Sequence, residues 1–431
     1  MNLPESQYQK TVLSNGIRVL TESHPLTRSA CSGIFLDLGT RDEPEGLEGA
    51  AHFVEHLVFK GTRRRSAYQI ARTLEAVGGD LNAFTTRENT CFHATTLSED
   101  VHLAMDVLSD LVSGAKFTPL DFEKERQVIH QEIDMSMDNL EEYIFDLYFE
   151  EAYRGHSLGR SILGTRKSLM GMNRRSLLEF YQRRYQGKDL IVSVAGRVDH
   201  DDIVARVDAV LGRIRRRPLP RPLRSKPKPR GFIRALRRPS EQVHVLLGLP
   251  SCPFRDSHRF ESYIVNALLG GGMTSRLYRK VRESRGLAYS VYSYLHSFTD
   301  SGLLMVYVGT SPENLPKVIR ILRSELMSLK EKGIKRSELN LYERQVKGGI
   351  IMGAEDMENR MNSLAVNEMV FGQYRSVDRV LQDISEISLD SVNKYIDRYF
   401  DLSKMGVLVV GDVDAAKTEK WLRQELERDL K

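Results

Sequence analysis

Two apolar rhythms alternate along the chain. Short apolar runs predict strands over 16–22, 30–38, 80–86, 90–97 and 190–195 in the first half. Apolar residues recurring every three or four positions predict helices over 47–59, 66–77, 99–114, 119–150 and 174–185. The second half repeats the mixture, with strands expected over 242–249, 288–298, 302–309 and 405–411. Its helices are expected over 257–269, 275–285, 312–332, 335–371, 376–386, 388–399 and 414–428. The stretch GGDLNAFTTRENTCFHATT reads as a hairpin, which only antiparallel pairing permits over so short a connection. The fold class is therefore α+β: a mostly antiparallel sheet packed with helices, formed twice.

The two halves also rhyme residue by residue. FYQRRYQGKDLIVSVAGRVD (180–199) matches YIDRYFDLSKMGVLVVGDVD (395–414) at a constant offset of 215. Phe180 pairs with Tyr395, Arg183 with Arg398, Tyr185 with Phe400, Gly196 with Gly411 and Asp199 with Asp414. Each copy reads as a helix end, a loop, an apolar strand, a tight turn and the cap of a last helix. Duplication of one domain is the simplest account.

Composition sharpens this division. At 431 residues the chain is too long for one ordinary core. No apolar run approaches the roughly 18 residues of a membrane span, and no leader pattern opens the chain, so neither membrane nor export is expected. Three cysteines without CxxC spacing fit a reducing compartment, and the cytoplasm is the expected location. The net charge of +5 has a local source, because residues 213–230 carry nine Arg/Lys, no acid and five prolines. That composition predicts an extended, semi-rigid linker between domains at 1–212 and 231–431. A nucleic-acid or anionic-membrane tether is the competing reading, but no aromatic residue interleaves the charges, so neither partner is expected.

The chemistry concentrates in GAAHFVEHLVFKGT, residues 49–62. On a helix His52 and His56 share a face, the bite that holds one zinc through two imidazole nitrogens. Glu55 stands near enough to hold a water without ligating. The plain alternative is a pair of core histidines. A glutamate in that apolar setting is costly without a partner or a task, and this tilts the reading toward a metal. A third protein ligand is then needed, with a fourth position open. The charged segment 119–150 offers Glu123, Glu125, Glu132 and His130, and spacing does not choose among them. Glu125 and Glu132 stand nearly on one helix face, so one could ligate while the other orients a histidine.

H-x-x-E-H is the inverted zinc-binding order of inverzincins. From LSNGIRVL to VVGDVD the chain resembles the peptidase superfamily of pitrilysin, insulysin and the mitochondrial processing peptidase, most of all its bacterial processing-peptidase-like branch. The resemblance implies His52, His56 and Glu132 as ligands of one Zn2+, Glu132 lying 76 residues beyond His56. It implies Glu55 as general base and Glu125 as a supporting glutamate. In SRLYRKVRESRGLAYSVYSY it implies that Arg282 and Tyr289 contact the substrate backbone and the developing oxyanion. By their residue types alone these two would read as a surface arginine and a core tyrosine. In LNAFTT it implies that Asn82, Ala83 and Phe84 pair with an extended peptide by strand addition. LLGGGMTSRL (268–277) lacks the Lys-Ser/Thr of a phosphate loop and reads as a flexible connection.

These readings make the protein a zinc-dependent endopeptidase acting on short or unfolded peptides. Long members of the superfamily enclose substrate with four such domains, so two chains are expected to associate, as a homodimer or with a related subunit. The alternative, a non-catalytic or partner-dependent subunit, is disfavoured by the retained set His52, Glu55, His56 and Glu132.

Overall fold

The run LIVSVAG at 190–196 lacks polar alternation because it forms a strand buried along its whole length. In the computed structural model, which describes residues 7–185, 187–214 and 224–426, this strand lies inside a six-stranded sheet. The strands are β1 (Gln7–Val12), β2 (Arg18–Ser23), β3 (Ser29–Leu36), β4 (Asp80–Thr85), β5 (Thr90–Leu97) and β6 (Leu190–Gly196), ordered β1-β2-β6-β3-β5-β4. β2 and β6 run parallel and the other neighbours antiparallel. The expected hairpin is β4–β5, with Asp80 opposite Thr95 and Thr85 opposite Thr90. Helix α1 (Ala50–Val58) packs beside β4, α2 (Ala67–Glu75) follows it, and α3 (Val101–Gly114) lies against β3 and β5.

A second sheet repeats the first without β1. Its strands are β7 (Phe232–Arg237), β8 (Val243–Pro250), β9 (Ala288–Ser297), β10 (Gly302–Thr310) and β11 (Gly406–Gly411), in the order β7-β11-β8-β10-β9. β7 and β11 are parallel, as β2 and β6 are. The matched residues occupy matched places. Tyr185 and Phe400 are buried just past the helices Arg174–Arg184 and Leu389–Tyr399. Asp199 caps the helix His200–Leu211 by accepting from Asp202 N at 3.0 Å. Asp414 accepts from Lys417 N at 3.1 Å at the start of Ala415–Leu426.

Both long helices expected from periodicity are broken. Residues 119–150 form α4 (Pro119–Asp138) and α5 (Leu140–Ala152), with Asn139 outside the helical region at φ −85°, ψ 90°. Residues 335–371 form the helices Arg336–Ala354 and Met357–Phe371, the second capped by Asp356, which accepts from Glu358 N at 2.8 Å. Each break lies within a few residues of a change of unit, which falls in the last turn or so of the helix before it. One compact unit comprises Met1–Asp134, Arg160–Arg224 and Met352–Arg375, and the other Met135–Gly159, Ser225–Ile351 and Ser376–Lys431. So α5, from early in the chain, covers the second sheet, while the late helix Met357–Phe371 covers the first. The expected linker 213–230 contains the change of unit between Arg224 and Ser225, and its residues 215–223 lie outside the described ones.

Burial explains the exchange. Met357, Met361, Leu364 and Ala365 pack on Leu20, Cys31, Phe35, Cys91 and Ile191 of the first sheet. Gly33 lets that helix close in, since a Cβ there would collide with the Met361 sulfur. Arg360 pairs with Glu22 on β2, both buried. On the second sheet Ile144, Tyr148 and Phe149 of α5 meet Leu246, Leu303, Met305, Leu408 and Val410. Each such large apolar side chain is worth about 1.5–3 kcal/mol when fully buried.

Three smaller differences have physical causes. β1 and β7 are edge strands with mostly exposed or half-buried residues, so they lack the apolar run that marks the others. The helix expected over 275–285 is a π-helical turn, Tyr278–Glu283. Among the described residues, no helix is long and apolar enough to cross a membrane.

Candidate metal centre

Helix α1 begins at Gly49, whose φ of +93° suits glycine and whose Cα faces the Leu163–Gly164 backbone too closely for a side chain. Its free N–H groups are capped from outside the helix. Glu43 Oε2 accepts from Gly49 N at 2.8 Å and Oε1 from Ala51 N at 2.7 Å. Burial pushes the Glu43 carboxyl up to about 8, against these two bonds. The cap orients the next turns, which carry His52, Glu55 and His56.

The two imidazoles sit one turn apart with ring centroids 4.6 Å from each other. Glu132, from α4, faces both: its Oε1 is 3.7 Å from His52 Nε2 and its Oε2 is 3.5 Å from His56 Nε2. These gaps are long for hydrogen bonds. They are close to the separation of about 3.3 Å between ligands of a tetrahedral zinc with bonds of about 2.0–2.1 Å. One donor atom from each of the three residues falls in a group within 4.8 Å. His52 Nδ1 is buried without a hydrogen-bond partner. Burial, with His56 beside it, pushes the His52 pKa down to about 4, so its imidazole is neutral and able to ligate. Two neutral-capable imidazoles and one carboxylate are a donor set that fits zinc.

Glu125 stands behind this group. Its Oε2 faces His56 Nδ1 at 3.2 Å, and its Oε1 lies 2.9 Å from Lys60 Nζ. With the proton on Nδ1, His56 donates to Glu125 and turns the Nε2 lone pair toward Glu132. Burial works to lower the His56 pKa, but Glu132 and Glu125 outweigh it and hold it above the ordinary value. The nearness of His56 holds Glu132 below the ordinary carboxylate value. Spacing left Glu123, Glu125, Glu132 and His130 open as third donor, and only Glu132 joins the histidines in that group.

Glu55 reaches β4, where Thr85 Oγ1 donates to its Oε2. Burial raises the Glu55 pKa, with Thr85 opposing. Asn82, Ala83 and Phe84 lie on β4, which ends the first sheet. Asn82 Oδ1 accepts from Ala83 N at 2.8 Å, and Phe84 turns inward against Phe35 and His93.

Arg282 and Tyr289 belong to the second unit and form a pair there. Arg282 Nη1 donates to Tyr289 O at 2.7 Å, and the guanidinium stacks over the Tyr289 ring, 4.6 Å from its centroid. Tyr289 is 74% exposed, so it is no core tyrosine despite its place in a strand.

Sequence reasoning passed over Lys60, Thr85 and Glu43. Lys60 had a signal, standing four positions after His56. Thr85 and Glu43 had none, because hairpin register and a cap from six residues upstream are set by the tertiary fold.

With the geometry in place, comparison with known proteins is specific. Residues 18–166 match the insulinase family, peptidase family M16, and residues 171–346 match the peptidase M16 inactive domain. The chain is 39% identical to an uncharacterized zinc protease of Mycobacterium leprae, covering 95% of this chain and 93% of that one. It is 34% identical to an uncharacterized zinc protease of Bacillus subtilis, covering 88% and 92%. Its fold is similar to that of a protease from Helicobacter pylori, with a TM-score of 0.87 at 20% identity over 94% of this chain and 100% of the other.

Proposed function

The chain belongs to the insulinase family of peptidases, family M16, and from that premise we propose a zinc-dependent endopeptidase of short or unfolded peptides. The observation that carries this is the meeting of His52, His56 and Glu132 with Glu55 held beside them by Thr85. His52, His56 and Glu132 would hold one zinc, which supplies a Lewis acid and a water acidified toward neutral pH. Glu125, backed by Lys60, keeps His56 in the tautomer that presents Nε2. Glu55 takes the attacking water's proton and passes it to the leaving amine. Thr85 occupies Oε2 of Glu55 and leaves Oε1 for that proton.

The free side of β4 at Asn82–Phe84 suits main-chain pairing with an extended peptide, which tolerates many sequences. Arg282 and Tyr289 are proposed contacts to the substrate backbone and its oxyanion, supported by the pair's own order: cation, ring and carbonyl lock one another. A cytoplasmic location and pairing of two chains, as a homodimer or with a related subunit, complete the reading.

The test is hydrolysis of a quenched peptide library by wild type and Glu55→Gln, with zinc quantified in both. Cleavage by wild type alone, with zinc retained by both proteins, is expected. Absence of zinc from both would remove the metal reading. Full zinc without cleavage by either would favour a partner-dependent subunit.

A further inference from the structure

The basic segment 213–230 has the composition of a solvated linker, yet its Arg224 is not solvated. The Arg224 side chain is 19% exposed and grips both oxygens of Asp42 with one edge of its guanidinium: Nε to Oδ1 at 2.8 Å and Nη2 to Oδ2 at 2.6 Å. Nη2 also donates to Glu88 O at 3.0 Å and reaches Asp37 Oδ1 at 3.3 Å. The planar guanidinium suits this geometry, and a lysine could not reproduce it.

Two turns meet at this grip. Asp42 closes the 3-10 turn Thr40–Asp42 by accepting from Gly39 N at 3.1 Å. Glu88 lies in the turn that joins β4 to β5. The turns are stitched together by Thr40 N to Thr86 O at 3.2 Å, Arg41 N to Arg87 O at 2.8 Å, and Arg41 Nη1 to Glu88 Oε1 at 2.7 Å. One residue beyond Asp42 stands Glu43, which caps α1. One residue before Thr86 stands Thr85, which holds Glu55. The first turn therefore sets the entry of the helix bearing His52 and His56, and the second sets the strand that orients Glu55. Asp37 and Asp42 are both largely buried and would repel without the cation between them.

We propose that Arg224 is a positioning residue of the site: it fixes the Glu43 cap and the β4–β5 turn together, and so sets α1 and Thr85 in register. This rests on the zinc peptidase reading for its consequence in catalysis, but not for its structural test.

The experiment uses full-length Arg224→Met, Arg224→Lys, Asp42→Asn and the double variant Arg224→Met/Asp42→Asn. Amide hydrogen exchange at Gly49 and Ala51 is followed in the zinc-free protein, with α3 amides as the internal reference. Zinc loss to a chelator and the kcat and KM of peptide cleavage are measured on loaded protein. In Arg224→Met, exchange at Gly49 and Ala51 should rise about 10-fold with α3 unchanged, zinc loss should quicken, and kcat/KM should fall by about 10- to 100-fold. Arg224→Lys should lie between it and wild type, and the double variant should match Arg224→Met. Wild-type exchange at the two amides in both Arg224 variants overturns the proposal. So does exchange that rises equally in α3, which would mean a general stabilising role. If Arg224→Met does not fold, Arg224→Lys decides. If wild type cleaves nothing, the peptidase reading fails while the exchange result still stands.

Discussion

Lys60 Nζ lies 2.9 Å from Glu125 Oε1, one turn beyond the histidine that the same carboxylate faces through its other oxygen. Helix α1 and the turn that follows it thus supply both an imidazole of the candidate group and a cation paired with that imidazole's carboxylate partner. Lys60→Met and Glu125→Gln are each expected to weaken zinc binding by about 10- to 100-fold without unfolding the protein. Competition with a chromophoric chelator measures this, and unchanged affinity in both would remove Glu125 from its supporting role.

Thr85 makes a second, separable contribution. Thr85→Val keeps the strand and its packing but releases Glu55 Oε2, so kcat should fall roughly ten-fold while bound zinc stays at the wild-type level. Thr85→Ser should restore most of the activity, because its hydroxyl reaches the same oxygen. A valine variant as active as wild type would show that Glu55 needs no such hold.

The Glu22–Arg360 pair ties the late helix Met357–Phe371 to β2. Burial works to raise the Glu22 pKa, but His24 and Arg360 outweigh it and hold it below its ordinary value of 4.5. Glu22 therefore binds its proton less readily folded than unfolded. Its stabilisation is full above the ordinary value and drains as the pH falls through the lower folded-state one. Glu22→Gln should cost about 3 kcal/mol at pH 7, since it leaves Arg360 buried without its counter-charge. The gap between wild type and variant should narrow in acid, which denaturant melts at pH 7 and pH 3 would show.

Gly248 probes the other exchanged helix. A Cβ at this position would meet the hydroxyl and ring of Tyr148 on α5 well inside van der Waals contact. Tyr148 is fully buried and also packs against the backbone at Gly406. Gly248→Ala is expected to lower stability by about 1–3 kcal/mol, read as a shift in the denaturant midpoint with an unchanged slope.

Periodicity and motif revealed most of the scaffold. The strands with a buried face, the β4–β5 hairpin and the repeat linking Phe180–Asp199 to Tyr395–Asp414 all follow from apolar pattern and caps. The histidine pair was legible because helical spacing alone puts His52 and His56 on one face. Glu132 was legible only through family spacing, since four donors on one segment satisfy the same periodicity. The breaks at Asn139 and before Asp356 were missed because the apolar stripe continues on both sides while its partner changes. Arg224 was masked by its own composition: among nine basic residues nothing local marks the one that meets two aspartates.

The helix exchange bears on how such a chain could arise. A freestanding first half would hold α5, whose Ile144, Tyr148 and Phe149 have their apolar partners on the second sheet. It would also lack the late helix that shields Leu20, Phe35 and Ile191. Two copies of one half could lend each other that helix, and each would then be complete. Fusion of two such copies would keep the loan within a single polypeptide, so neither half of the present chain would carry its full complement of covering helices if cut from the other.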